Sequence, residues 1–112
     1  MRKVTEQAKQ AFNNGTPFSK GNTAVIVSGD EVSLTLHGNK IMWWHKADPL
    51  NLHFCMCGWG SVTTRERLNG MLPNPWGISQ RDGKQYLVEN GQINKEIDVH
   101  KVYTINPLVV RQ

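Results

Sequence analysis

The chain has 112 residues, 38% of them hydrophobic and 20% charged, with a formal net charge of +4 at pH 7. That composition suits one domain with a modest core and excludes a disordered tail or a fibrous segment. Two cysteines are too few for a disulfide framework, and no apolar run approaches the ~20 residues of a membrane helix.

The basic start, MRKVTEQAKQAFNN, lacks the apolar stretch of a secretory signal. The cytoplasm is therefore the expected location. The chain reads as a single domain over 1–112: an N-terminal helix and loop over 1–21, a sheet-and-helix core over 22–106 and a tail over 107–112.

Val4, Ala8, Ala11 and Phe12 recur at helical spacing until Gly15 and Pro17 end the pattern. The apolar face is small, so this helix docks on the rest of the chain or frays. NNGTPFSKGN then reads as a loop. From Thr23 the period becomes two, and Val32, Leu34 and Leu36 alternate with polar neighbours as in a half-buried strand. Gly38-Asn39 is the expected hairpin turn, since both residues accept positive φ. That turn would set Leu36 against Ile41 and Leu34 against Trp43, placing Ile41 and Trp43 in the core. Met42 and Trp44 would share the other side with Ser33 and Thr35, where either a helix covers Trp44 or the ring is partly exposed.

Residues 51–58, NLHFCMCG, read as the next strand. VTTRERLNGML carries a capping-box pattern, with Thr63 as N-cap and Glu66 three residues later. Gly70 and Pro73 stop this short helix, whose buried edge is Leu68, Met71 and Leu72, while Arg65, Glu66 and Arg67 lean to solvent. Asp82-Gly83 and Asn90-Gly91 are hairpin dipeptides. The second pairs Val88 with Ile93, and Ile97 and Val99 continue that face. The tail, KVYTINPLVVRQ, extends as a last strand with Pro107 at an edge or end. The expected fold is α+β: an antiparallel β-meander of about six or seven strands, a short N-terminal helix, and a second short helix after the third or fourth strand.

His53, Cys55 and Cys57 occupy alternate positions and raise metal or redox chemistry. In a straight strand their Cα atoms stand roughly 6.6 Å apart and the side chains splay, whereas zinc needs four convergent ligands at ~2.0–2.3 Å. No second Cys pair exists, and a site would need His37 or His45 to lean in. A Cys55–Cys57 disulfide would strain a strand. Buried, unreactive cysteines are the simpler reading, with no cofactor expected. The acids Asp30, Glu31, Asp82, Glu96 and Asp98 read as turn and solvent-face residues, and no phosphate-binding glycine loop or nucleophile elbow occurs. No catalytic constellation is recognised.

Basic and aromatic residues suggest a contact surface instead. Lys40 and Lys46 beside Trp44, Arg65 and Arg67 on the short helix, and Arg81 and Lys84 at a hairpin make a candidate patch, diluted by Glu66 and Asp82. Trp59 and Trp76, next to glycines, read as packed corners of the fold.

The succession NTAV, LTLHGNKI, CGWGSVTTRERLNGML and ISQRDGKQYL, from Asn22 to about Leu87, resembles a group of short accessory proteins of tailed bacteriophages with no assigned activity. Its most specific parts are Leu36-His37-Gly38-Asn39 with Ile41, and Gly58-Trp59 with Thr63, Thr64, Arg67, Leu68 and Asn69. The double Trp43-Trp44, the His-Cys-Cys strand, the N-terminal helix and the long tail depart from that pattern. The resemblance implies a phage protein made inside an infected bacterium, and it carries no catalytic residue. The expected function is non-catalytic binding that occupies or inhibits a host protein complex, with counter-defence as one such role. The alternative is direct binding of single-stranded or duplex nucleic acid. Unpaired strand edges also leave room for a homodimer.

Overall fold

The computed structural model describes residues 2–106. Two helices, α1 (Lys3–Asn14) and α2 (Val62–Met71), accompany nine strands, more than the six or seven expected. In chain order these are β1 (Phe18–Lys20), β2 (Thr23–Ser28), β3 (Glu31–Leu36), β4 (Asn39–His45), β5 (Asp48–Phe54), β6 (Trp76–Arg81), β7 (Lys84–Glu89), β8 (Gln92–Ile97) and β9 (Tyr103–Ile105). They form an antiparallel sheet of six, ordered β1-β2-β3-β4-β5-β9, and one of three, β6-β7-β8. The α+β meander is thus the architecture, with α2 after the fifth strand. The stretch read as a loop holds β1, whose Phe18 pairs with Val25. Pro107 and the tail beyond it lie outside the described residues.

α1 buries Thr5, Ala8, Ala11 and Phe12 and ends where Gly15 turns left-handed at φ 69°. It docks rather than frays, packing on one face of the larger sheet with Val25, Val32, Leu34 and Met42 in the same core. The β3–β4 turn corrects the expected register. Its left-handed residues are His37 and Gly38, at φ 51° and 79°, so Leu36 faces Asn39 and a bulge follows between Leu34 and Thr35. The bulge lets Ile41 and Met42, 1% and 0% exposed, both enter the interior. Burying one more such side chain contributes about 1.5–3 kcal/mol, enough to outweigh the about 1–2 kcal/mol of a left-handed non-glycine residue.

The same shift reverses the two tryptophans. Trp44 stands opposite Val32 and Trp43 opposite Ser33, so Trp44 points inward and Trp43 outward. Trp44 Nε1 donates to the Phe12 carbonyl at 3.0 Å, a second bond to a last-turn carbonyl that also accepts from the Gly15 N–H at 3.3 Å.

α2 departs from its expected cap. Ser61 is the N-cap and its hydroxyl accepts from Thr64 N–H at 3.2 Å, so Glu66 lies too far along to close a box with Thr63. Gly70 stays within the helix, which ends at Met71 before Pro73. Leu68, Met71 and Leu72 are buried as expected. Arg67 is not solvent-facing: it is 3% exposed. Its Nε donates to Thr23 Oγ1 at 3.0 Å, and its Nη1 donates to Thr5 Oγ1 at 3.1 Å and to Glu66 Oε1. Glu66 also accepts from the Thr5 hydroxyl at 2.7 Å and from Arg2 N–H at 3.4 Å. One ion pair therefore joins α1, α2 and β2.

Another side of α2 holds the smaller sheet. Asn69 Nδ2 donates to the Ile78 carbonyl at 3.0 Å while its Oδ1 accepts from Ile78 N–H at 2.6 Å. Arg65 Nη1 donates to Gln80 Oε1 at 2.6 Å and to Gln85 Oε1 at 3.2 Å. In that sheet both hairpin turns fall where read, Arg81 facing Lys84 and Glu89 facing Gln92. Val88 meets Ile93 as expected, but a bulge between Leu87 and Val88 breaks the face. Ile97 then turns inward at 3% exposure while Ile93 stays 46% exposed. Trp76 is packed, at 8%, but Trp59 is 61% exposed and is no packed corner.

Trp44→Phe removes the bond to Phe12 and part of the packed indole, and is expected to lower unfolding stability by at least about 0.5–1.5 kcal/mol in urea titration. Burial would raise the Glu66 carboxyl pKa, but bonds from Thr5, Arg2 and Arg67, with the Arg67 charge, outweigh it and hold the group below the usual range. A depressed folded pKa gives stability that is present above the unfolded value near about 4.3 and is lost as pH falls through the folded one. Glu66→Gln should therefore cost about 3 kcal/mol at pH 7, by stranding a buried guanidinium. In acid the urea midpoints of variant and parent should converge.

Candidate functional site

The strand proposed to carry His53, Cys55 and Cys57 ends at Phe54. His53 lies on the outer face of the larger sheet, its Nδ1 2.8 Å from Thr104 Oγ1. Beyond Phe54 the chain turns through left-handed Cys57 and Gly58, at φ 53° and 81°. Cys57 N–H approaches Cys55 Sγ at 3.2 Å, and Cys57 Sγ donates to the Lys40 carbonyl at 3.0 Å. The three residues thus divide between an outer face and a turn. Among the described residues no group of three or more His, Cys, Asp or Glu side chains is placed to hold a metal ion.

The expected cationic patch is dispersed. Arg67 is buried in its ion pair, and Arg65 binds Gly60 O, Gln80 and Gln85. Lys40 pairs with Glu31 at 3.1 Å. Lys40 lies near the start of β4 and Lys46 just past its end, six residues apart, which is about 20 Å along a strand. Arg81 and Lys84 flank the turn of the β6–β7 hairpin in the other sheet, and Trp44 lies under α1. Arg81 and Lys84 are neighbours across that hairpin, but they adjoin neither the Lys40 cluster nor Trp44.

A different surface is assembled on the outer face of the larger sheet. One row crosses five strands: Ile26 faces Ser33, Ser33 faces Trp43, Trp43 faces His53, and His53 faces Thr104. The Trp43 and His53 rings stack with centroids 5.8 Å apart at 27°, and Lys40 Nζ lies 4.6 Å from the Trp43 ring centroid. His45 meets His53 edge-on at 5.8 Å and sits 3.6 Å from Glu31. Both helices pack on the opposite face, so among the described residues no helix covers this row. Sequence reasoning missed it because one register step decides which tryptophan faces out.

A second feature is a hollow of about 380 Å³ between the β3–β4 turn and the start of α2, with Leu36, Ile41 and Trp59 among its walls. It brings together the LHGN and GWGSVTT stretches, which are about twenty residues apart in the chain.

These features define a small α+β protein with an aromatic row on one face of its larger sheet and a hollow beside the start of α2. The chain belongs to a bacteriophage family: the model of the Kyanoviridae Gp96 protein family matches residues 1–105. That span is wider than the resemblance seen from Asn22 to Leu87 and takes in α1. No curated protein and no solved structure matches the chain. Among the described residues no helix is long and apolar enough to cross a membrane.

Burial first, then the Cys55 thiol beside it, pushes the Cys57 thiol up to about 11, with Lys40 opposing weakly. The thiolate is the reactive form, so at pH 8 iodoacetamide should alkylate native Cys57 at least about tenfold slower than an ordinary thiol of pKa ~8.5, the much smaller thiolate fraction being partly offset by the greater nucleophilicity of a more basic thiolate. Mass spectrometry of native and urea-unfolded protein measures the ratio; equal rates would contradict the buried turn.

Proposed function

We propose that this phage protein is a non-catalytic binding protein that occupies a host protein through the outer face of its larger sheet. The observation that carries the reading is the cross-strand ladder around Trp43. Lys40 lies over the Trp43 ring and His53 stacks with it, which holds the indole in one orientation before any partner arrives. A pre-ordered aromatic loses little conformational freedom on binding, and tryptophan is enriched among residues that dominate protein interfaces. A blocking role, including counter-defence, needs nothing more than such a surface.

The charge distribution favours a protein over nucleic acid. Phosphate contacts need available cations, yet Arg65, Arg67 and Lys40 have partners within the chain.

Trp43→Ala tests the proposal, because it removes a half-buried outer-face side chain and leaves the core residues in place. Capture from host lysate should yield one stoichiometric protein, which is then purified and titrated against both forms. The variant should lose at least about thirtyfold in affinity, as an interface anchor worth ~2 kcal/mol does, with its melting temperature little changed. A parallel gel shift with single-stranded and duplex DNA at two salt concentrations separates the alternative. Steeply salt-dependent binding that Trp43→Ala abolishes would replace the protein reading with the nucleic-acid one. No stoichiometric partner, or one that the variant binds equally well, would overturn it.

A further inference from the structure

We infer that the hollow between the β3–β4 turn and the start of α2 is a binding site for a neutral, planar, hydrogen-bonding heterocycle of the nucleobase class. This goes beyond the outer-face reading and does not depend on it. The hollow holds about 380 Å³, within the ~300–1,000 Å³ usual for small-molecule sites. Its floor is apolar, from Leu36 and Ile41 at 4% and 1% exposure. His37, Asn39 and Thr63 bring an imidazole, an amide and a hydroxyl to the lining. No Lys, Arg, Asp or Glu lines it. A charged ligand would find no counter-ion side chain there, while the first turn of α2, with Ser61, Thr63 and Thr64 in the wall, offers a partial positive charge to the acceptor atoms of a neutral one.

Trp59 decides the shape of that ligand. It lines the hollow yet is 61% exposed, leaving much of a large apolar ring in water. The backbone holds it there. Trp59 N–H donates to the Met56 carbonyl at 2.9 Å, directly after the left-handed Cys57–Gly58 pair. Gly58 itself packs so closely that a Cβ there would lie 3.1 Å from the His100 ring. An indole at the mouth of an apolar hollow offers a stacking face, and stacking of a base on such a ring is worth about 1–3 kcal/mol. Asn39 supplies what a base edge needs, since one amide both donates and accepts. The ring of His37, bonded to the Asn22 amide at 3.3 Å, closes that side.

A nucleobase reaches such a site either as a free nucleoside or as an unstacked base of a single strand, and the two arms of the test separate them. The full-length chain is titrated with adenosine, guanosine, cytidine and uridine, and separately with short single-stranded oligonucleotides. Amide and indole N–H shifts are followed by NMR. Saturable shifts at Trp59, Asn39 and Thr63 are expected from at least one nucleoside, or from an oligonucleotide alone if the base arrives in a strand. Trp59→Ala should weaken the interaction at least tenfold. The ring is mostly in water, so the fold should survive, and Asn39→Ala gives a second variant that spares the ring. Trp43→Ala should leave this binding unchanged, which separates the hollow from the outer face. Absence of shifts with both ligand sets at millimolar concentration would overturn the inference. So would equal binding of naphthalene, which stacks but forms no hydrogen bonds, or binding indifferent to Trp59→Ala.

Discussion

Arg67 is the one charged side chain drawn fully into the interior among the described residues, at 3% exposure. A guanidinium cannot leave water without partners, and its partners come from three parts of the chain: Thr5 on α1, Glu66 beside it on α2, and Thr23 on β2. Satisfying one buried charge therefore fixes how both helices lie on the larger sheet. The apolar contacts around it would tolerate sliding, because burial has no preferred direction. The hydrogen bonds of a planar fork do not.

α2 has a second duty. Arg65 and Asn69 are four residues apart, hence on one side of a helix, and both reach the three-stranded sheet. Asn69 bonds the donor and the acceptor of Ile78, acting as a short length of strand laid against β6. A helix gripped on several sides shows no clean amphipathic stripe. The charges that look like a solvated face in RERLN are instead the fastenings.

The functional surfaces follow from the same packing. With α1 on one face of the six-stranded sheet, no helix among the described residues covers the other, and the bulge in the β3–β4 pair determines that Trp43 stands on it. The hollow beside α2 arises where the β3–β4 turn and the Cys57–Gly58 turn approach the Ser61 cap. The turn geometry explains why Trp59 is exposed while Trp76, also beside a glycine, is packed: Trp76 begins a strand under α2, whereas Trp59 follows a left-handed pair that aims it outward.

Local chemistry alone was enough for much of the architecture. Alternating residues marked β3, helical spacing marked α1, and Asp82-Gly83 and Asn90-Gly91 marked their hairpins, since each signal acts between near neighbours. What local chemistry could not decide were the competitions between local preference and distant burial. Gly38-Asn39 is the better turn pair, but the interior gained more from burying both Ile41 and Met42. Thr63 and Glu66 match a capping box, but Ser61 takes the cap and Arg67 claims the carboxylate. His53, Cys55 and Cys57 alternate as in a strand, but the chain bends before the pattern is complete. Each outcome depends on packing against distant parts of the chain, as Arg67 is held by Thr5 and Thr23, so only the tertiary structure could show which tryptophan faces the solvent and which charges are already engaged.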